Sequence, residues 1–440
     1  MTLVRKSTSD DGTGMGRCRW IIVLAATASL VACDSGGVAT TDTSPESPAA
    51  GLVRRDSDIG GSETDIFLPG AVLSEDEAAP VVVMLHGTAA DRHLMEPLAM
   101  AVAETGALVY VPSWPVIDQV EPFPEDEGDG PFWRQSESVI CMLRSVKQTA
   151  AELGGDPSDL TLVGHSGGGM IGARVAMVDD VPWPGIDCAD DVDHRPNRFI
   201  GLAGDYEGIY QYAMTQSAAY APYDVMALEP TNRDLDVWLM HGHNDDSVNL
   251  WSSALLADHL AEVGIESHLL TTDDGHAAPL DPSTPAGRFT ADRIAAIVHD
   301  RPEPAWWPDG AVDATLRLGS DDTCVYEGPE TWPTDRALTI QLENATTVAA
   351  SFVLVSIRSD VEITRAEALA ADGILGVDDP DWVDSGGFRP VPPGATRMLR
   401  FAFVEADQTF VMYCHIDNET THPRAGWMFP AALLEAGPAG

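Results

Sequence analysis

Residues 162–170 have the sequence Leu-Val-Gly-His-Ser-Gly-Gly-Gly-Met, and this stretch decides the expected fold. The pattern Gly-x-Ser-x-Gly is typical of a sharp turn between a strand and a helix, with the serine exposed at the helix N-terminus. A bare match to so short a pattern is weak evidence. Here an apolar stretch precedes the turn and a run of small residues, 171–177, follows it. The context therefore predicts that Ser166 is a nucleophile on such a turn.

Outward from this motif, strand and helix patterns alternate between about residues 60 and 300. The predicted strands are 80–85, 108–111, 160–163, 198–202, 236–240 and 267–272. The predicted helices are 95–104, 137–153, 251–263 and 286–299. The strand candidates are continuous apolar runs, as expected when both faces of a parallel sheet are covered. The pattern predicts an α/β sheet with flanking helices and right-handed crossovers.

A second region follows the stretch 301–310, which contains three prolines and a glycine. Beyond it the hydrophobic pattern changes to a period of two, which is typical of short strands in a β-sandwich. The predicted strands there are 314–318, 338–342, 348–357, 396–403 and 409–414. We therefore expect an α/β catalytic domain over 58–303 and a small all-β sandwich domain over 304–440.

The composition excludes some classes of partner. The 440 residues are 44% hydrophobic, which argues against a mainly disordered chain. They carry 69 acidic and 25 basic residues, a formal net charge of −44. So strong an acidic balance argues against binding nucleic acid or anionic lipid through a basic patch.

Two further loops follow predicted strands in the order in which an acid and a base are needed. The strand 236–240 leads to Asp245 and Asp246, and the strand 267–272 leads to His276. An acid at the carboxyl end of a sheet strand can orient an imidazole. Either aspartate satisfies that argument, and the spacing favours Asp245.

In these motifs the chain resembles the α/β-hydrolase family over about residues 60–300. The family motif H-G-x-x-D-x-x-V matches 241–248 and implies Asp245 as the acid of the catalytic triad. The family's G-H implies His276 as the base. The early H-G-x loop, at 86–88, implies that the Thr88 N–H joins that of Gly167 in an oxyanion hole. The chain departs from the H-G-G-G form of some esterases.

The resemblance implies a compact serine esterase, similar to dienelactone hydrolases, feruloyl esterases and polyester depolymerases. A small-molecule or polymeric ester would be the substrate, and no metal or organic cofactor would be needed. Two alternatives remain at this point. One is a serine peptidase or amidase of the same fold, and the other is an inactive surface-binding protein.

The N-terminus predicts export. Arg17 and Arg19 precede an apolar run that is too short to span a membrane. The run ends in Leu30-Val-Ala-Cys33, which resembles the lipobox of bacterial lipoproteins. We expect a signal peptide over 1–32, lipidation of Cys33, a flexible tether over 33–57, and attachment to the outer face of the cell membrane. An ordinary signal peptide with an incidental cysteine is the alternative.

Four cysteines remain in the mature chain, and three disulfide pairings are open to them. The domain boundaries favour Cys141–Cys188 and Cys324–Cys414. Residues 311–437 resemble, more loosely, a cupredoxin-like or immunoglobulin-like sandwich. We do not expect copper, because no histidine in 302–414 supplies the early ligand of a blue-copper site.

Overall fold

The structure of the chain is a computed structural model. It describes residues 53–70, 78–88, 90–115, 130–178, 188, 192–207, 225–301, 312–334, 336–357, 382–387, 391–404, 409–416 and 428–437. The predicted signal peptide and Cys33 lie outside these ranges, and so does most of the predicted tether.

The described part of the chain contains two groups of strands. The first group is β1 (Val53–Ile59), β2 (Ser62–Phe67), β3 (Ala79–Leu85), β4 (Leu108–Pro112), β5 (Gly155–His165), β6 (Arg198–Leu202), β7 (Asp236–Gly242) and β8 (Ser267–Thr272). The second group is β9 (Ala314–Leu318), β10 (Cys324–Glu327), β11 (Thr331–Pro333), β12 (Leu338–Asn344), β13 (Ala350–Ile357), β14 (Trp382–Gly387), β15 (Thr396–Ala402), β16 (Thr409–Ile416) and β17 (Met428–Gly437).

Five α-helices are described: α1 (Glu96–Glu104), α2 (Gly130–Thr149), α3 (Gly167–Met177), α4 (Trp251–Glu262) and α5 (Pro285–Val298). Helix α5 begins sharply because the Thr284 hydroxyl accepts a hydrogen bond from the Gly287 N–H and Pro285 occupies the first helical position. None of the described helices combines the length and the apolar character needed to cross a membrane.

The first group of strands forms the central sheet, in the order β1-β2-β4-β3-β5-β6-β7-β8. From β4 to β8 all neighbours are parallel, and β2 joins β4 in the antiparallel direction. Every residue of β4 is buried, because helices cover the sheet on both sides. Leu98 of α1 and Ile294 of α5 pack in one apolar core. Ile140 of α2, Ile171 of α3 and Leu256 of α4 pack in the other. The predicted α/β arrangement is confirmed.

The C-terminal strands form two layers around a third apolar core. Four of them continue the central sheet in the order β8-β15-β12-β9-β10, and the other five form a separate sheet in the order β11-β17-β16-β13-β14. Ile340 and Phe401 from the first layer meet Phe352 and Phe410 from the second. The predicted division at 303/304 falls outside the described residues and stays a prediction. The sheet itself passes without interruption from β8 to β15 through the pairing of Thr271 with Phe401.

The predicted end of the tether needs a correction. Residues 53–57 belong to β1, which pairs antiparallel with β2. The sequence Val-Arg-Arg-Asp-Ser has no apolar alternation, so the strand pattern is absent there. Backbone hydrogen bonds to β2 are available to polar residues as well, and they define this edge strand.

Both predicted disulfides are confirmed. Cys141 in α2 is bonded to Cys188 with a Cα–Cα distance of 5.4 Å. Cys324 in β10 is bonded to Cys414 in β16 with a Cα–Cα distance of 5.7 Å. The second bond joins the two layers of C-terminal strands.

Candidate active site

The candidate site lies where the connections of the central sheet change direction. The chain passes from β3 outward to β4 and then returns to β5 on the other side of β3. Loops at the carboxyl ends of two such strands diverge and leave a crevice, which is where open α/β sheets bind their ligands. Thr88 follows β3, and Ser166 follows β5 directly.

Ser166 occupies a strained turn. Its backbone has φ 55° and ψ −122°, a conformation that side chains other than glycine rarely adopt. Gly164 and Gly168 make the turn possible. A Cβ at Gly164 would lie 2.3 Å from the Gly168 carbonyl oxygen, and one at Gly168 would lie 2.4 Å from that of His86. The Ser166 N–H donates to the Leu202 carbonyl at 2.9 Å, which ties the turn to β6.

Gly167, the residue after Ser166, is in close contact with Thr88. Gly167 is the first residue of α3, and the first N–H groups of a helix have no partner within the helix. A Cβ at Gly167 would lie 3.2 Å from the Thr88 nitrogen and 1.8 Å from its hydroxyl oxygen, so the two residues are in close contact. Helix N-termini of this kind stabilise negative charge.

Trp114 and the loop residue His86 hold this early loop in place. The Trp114 indole donates to the His86 carbonyl at 3.0 Å, and the two rings stack with centroids 5.4 Å apart. Trp114 is only 3% exposed. This burial places Trp114 in the apolar core.

Asp245 is buried and satisfied by four groups. One carboxylate oxygen accepts from the N–H of Ser247 at 2.9 Å and from that of Val248 at 2.8 Å. The other lies 2.7 Å from Nδ1 of His276 and 3.2 Å from Nε2 of His241. Burial by itself would raise the pKa of Asp245, but the hydrogen bonds from His241 and His276 outweigh it and hold that pKa well below its usual range. Asp245 therefore stays ionised at neutral pH.

His276 meets Asp245 through Nδ1, which leaves Nε2 as its second ring nitrogen. Its backbone carbonyl accepts a hydrogen bond from Nε2 of His165 at 2.9 Å, and the two rings lie 4.6 Å apart. His276 is thus held against the residue that precedes Ser166. Within the described residues, the Ser166 hydroxyl makes no hydrogen bond of its own. Catalytic hydrogen bonds often form only when substrate is bound.

The sequence missed two supporting histidines. His241 contacts Asp245, and its Nδ1 lies 2.7 Å from the Ser253 hydroxyl in α4. His165 is fully buried, and this burial lowers its pKa to about 4, so its ring is neutral and its Nε2–H can donate to His276. Both histidines lie within motifs: His241 begins the H-G-x-x-D-x-x-V motif, and His165 is the first variable position of Gly-x-Ser-x-Gly. Neither motif indicates which group the histidine contacts.

Asp246, the sequence alternative to Asp245, lies elsewhere. Its side chain is exposed and accepts a hydrogen bond from the Ser247 hydroxyl at 3.0 Å. Within the described ranges, no cluster of three or more His, Cys, Asp or Glu side chains could hold a metal ion.

No protein-family model matches the chain. A search of curated proteins likewise gives no match. Solved structures do resemble part of it. An acetyl ester-xyloside bifunctional hydrolase from Caldicellulosiruptor lactoaceticus is 15% identical with a TM-score of 0.44, over 54% of this chain and 88% of that one.

Two further solved structures have similar scores. Esterase 2 of Thermogutta terrifontis is 17% identical with a TM-score of 0.45, over 59% of this chain and 98% of its own. A truncated carbohydrate esterase from gut microbiota is 16% identical with a TM-score of 0.44, over 58% and 98%. The strand order and the helices on both faces remain the basis for assigning the fold of this chain.

Proposed function

We propose that this protein is a serine hydrolase that cleaves carboxylic esters through an acyl-enzyme on Ser166. One observation carries the proposal: His276, which makes a 2.7 Å hydrogen bond to Asp245, also contacts His165, the residue before a serine in a strained strand-to-helix turn. A serine is a weak nucleophile unless a base removes its proton, and the base needs a third group to orient it. The three side chains have those three roles.

The first half-reaction follows from the partners of each group. The Nδ1–H of His276 is directed to Asp245, so its Nε2 is the nitrogen that accepts the Ser166 proton. The hydroxyl oxygen attacks the ester carbonyl carbon, and the N–H groups of Gly167 and Thr88 stabilise the resulting oxyanion. When the carbon–oxygen bond to the leaving group breaks, His276 returns the proton to the departing alcohol. Water then repeats the sequence on the acyl-enzyme and releases the acid.

Asp245 contributes by remaining charged. Its hydrogen bonds hold its pKa low against the effect of burial, so it does not take the proton from His276. The carboxylate fixes the imidazole tautomer and stabilises the imidazolium that forms during each half-reaction.

The proposal includes export and a lipid anchor at Cys33. The lipobox-like sequence 30–33 supports it, and so do the two disulfides, because such bonds persist in oxidising compartments. Incorporation of a labelled fatty acid into the full chain, absent from the Cys33→Ser variant, tests the anchor. The substrate would be a small or polymeric ester outside the cell.

The test of the catalytic proposal is hydrolysis of p-nitrophenyl acetate, butyrate and octanoate by the exported full chain. Ser166→Ala should lower the rate by at least about 10³-fold. Ser320→Ala is the matched control, because Ser320 is an exposed serine in the C-terminal region. A folded protein that hydrolyses none of these esters would contradict the proposal and favour a peptidase or a binding protein.

A further inference from the structure

We propose that the C-terminal strands are part of the catalytic unit and that His243 and Asp273 are positioning residues. Through these two residues the C-terminal strands hold the acid loop, which follows β7 and contains Asp245, and the base loop, which follows β8 and contains His276. The inference rests on the proposed function. It gives the C-terminal strands a structural role in catalysis. Four groups of contacts support it.

The C-terminal strands contact the acid loop two residues before Asp245. His243 is 3% exposed, and its Nε2 donates a hydrogen bond to the Leu354 carbonyl in β13. Its ring also meets the Phe401 ring of β15 edge-on, with centroids 6.0 Å apart. Burial lowers the pKa of His243 to about 4, so the ring is neutral at physiological pH and one nitrogen carries the donated proton.

The segment after β15 contacts the base loop three residues before His276. Asp273 is 4% exposed, and its carboxylate accepts a hydrogen bond from the Val404 N–H at 2.8 Å. This bond continues the strand pairing next to it, in which Thr272 of β8 lies opposite Ala402 of β15. The segment after β15 therefore follows the base loop beyond the end of β8.

The two loops are also joined to each other. The His243 N–H donates to the Thr272 carbonyl at 2.7 Å, and the Asn244 N–H donates to the Asp274 carbonyl at 3.0 Å. The Asn244 side chain donates to the Asp273 carbonyl at 2.7 Å. A displacement of His243 or of Asp273 would therefore move both loops, and with them Asp245 and His276.

The region beyond the acid loop has the same attachment. Leu250, which precedes α4, is buried in the apolar core of the C-terminal strands. Arg397 of β15 forms a 2.8 Å ion pair with Asp258 of α4. Apolar burial supplies most of the attachment energy, since a half-exposed ion pair contributes little. The hydrogen bonds at His243 and Asp273 then fix the positions of the acid loop and the base loop.

These contacts have a kinetic consequence. Misplacement of a catalytic group by about 1 Å costs roughly 10²-fold in rate. Loss of the His243–Leu354 bond should therefore lower kcat much more than it changes KM, because the crevice formed by Ser166 and Thr88 belongs to other loops. A purely stabilising contact would instead change the amount of folded protein and leave turnover per active site unchanged.

The experiment compares His243→Leu with His243→Gln in the full exported chain. Leucine removes the donor, whereas the glutamine amide can still donate to Leu354. The matched control is His259→Leu, because His259 lies 3.2 Å from the Leu228 carbonyl and both residues belong to the α/β part of the chain. Rates are divided by the number of sites that a fluorophosphonate labels at Ser166, well below the melting temperature of each variant.

We expect His243→Leu to lower kcat per labelled site by about 10- to 100-fold with KM changed less than threefold. His243→Gln should recover at least a third of the wild-type kcat, and His259→Leu should stay within twofold. Equal kcat per labelled site in His243→Leu and wild type would overturn the proposal. So would a loss in His259→Leu as large as that in His243→Leu.

A second readout separates this inference from the proposed function. The Nδ1–H of His276 donates a hydrogen bond to Asp245, and its proton should give a downfield NMR signal. The signal is assigned by its loss in Asp245→Asn. We expect the signal to shift or disappear in His243→Leu and in Asp273→Ala, and to persist in His259→Leu and Asp273→Asn. A wild type without esterase activity would refute the proposed function alone, and this signal would still decide the inference. An unchanged signal in both His243→Leu and Asp273→Ala would refute the inference alone.

Discussion

Nε2 of His165 donates a hydrogen bond of 2.9 Å to the backbone carbonyl of His276, so the residue before Ser166 holds the main chain of the candidate base. The nucleophile turn and the base loop are separated by more than a hundred residues of sequence, yet this single bond fixes their distance. Because the bond uses the backbone of His276, it leaves Nε2 of that imidazole available for the serine proton.

The first prediction concerns His165. Replacement by phenylalanine keeps a flat ring but removes the donor to the His276 carbonyl, so we expect kcat to fall by about tenfold. His165→Gln retains an amide donor and should lose less. Steady-state kinetics on p-nitrophenyl butyrate measure both. Equal activity of the two variants would contradict a role for the hydrogen bond.

The second prediction separates the two adjacent aspartates. Asp245→Asn removes the charge that stabilises the His276 imidazolium, and kcat/KM should fall by about 10³- to 10⁴-fold. Asp246→Asn changes an exposed side chain and should stay within threefold. The comparison is direct because the substitution is the same and the positions are neighbours. Similar losses at both positions would show that the acid is wrongly assigned.

The third prediction concerns the nucleophile turn. Gly168→Ala would push a Cβ to within 2.4 Å of one backbone carbonyl oxygen and 2.6 Å of another, and neither can move freely. We expect a loss of folding stability of about 1 to 3 kcal/mol, as for other overpacked sites. Gly275→Ala is the control, since among the described residues its Cβ would meet only the Asn244 carbonyl, at 3.5 Å. Urea denaturation followed by circular dichroism gives both values.

The fourth prediction is a loss of stability between pH 6.5 and 4. Burial lowers the pKa of both His165 and His243 to about 4, while the unfolded imidazoles titrate near pH 6.5. Protons therefore bind the unfolded chain first. The stabilisation is complete above about pH 6.5 and falls by as much as about 3 kcal/mol per histidine as the pH approaches 4.

Urea denaturation at pH 7.5, 6 and 5 measures this effect. His243→Gln should make the unfolding free energy depend less steeply on pH, because one of the two titrating rings is gone. A wild-type unfolding free energy that does not change over this range would contradict the prediction.

The fifth prediction concerns the disulfides. The untreated exported protein should show no reactive thiol among Cys141, Cys188, Cys324 and Cys414, and reduction should expose all four. Removing Cys324–Cys414 by a double serine substitution should cost about 2 to 5 kcal/mol of stability. Ellman titration in denaturant and thermal melting test the two statements. Free thiols before reduction would contradict the pairing.

The sequence predicted the inner part of the fold well. The six predicted strands of the α/β region correspond to β3 to β8, and the four predicted helices correspond to α1, α2, α4 and α5. These elements are apolar on both faces or amphipathic, so hydrophobic periodicity alone identifies them. Strands β1, β2, β10, β11, β14 and β17 were missed. Each of them is defined by backbone pairing with another strand, which leaves little signal in the local sequence.

The same limit applies to the site. Ser166, Asp245 and His276 follow strands and could be proposed from motif spacing. The hydrogen bonds of His165, His241 and His243 depend on which carbonyl or carboxylate the fold brings near each ring. Neighbouring sequence does not contain that information, and neither does it show that β15 lies beside β8.

The pairing of β8 with β15 determines where the chain can be truncated. A fragment ending at Arg301 would remove the strand partners of Thr271 and Thr272 and leave β8 as an open edge strand. Leu250 would lose its buried surroundings at the same time. Such a fragment presents a template for self-association, so its insolubility would be a property of the cut rather than evidence that the α/β region is unstable. Expression, crystallisation and domain-swap work should keep the chain through β17.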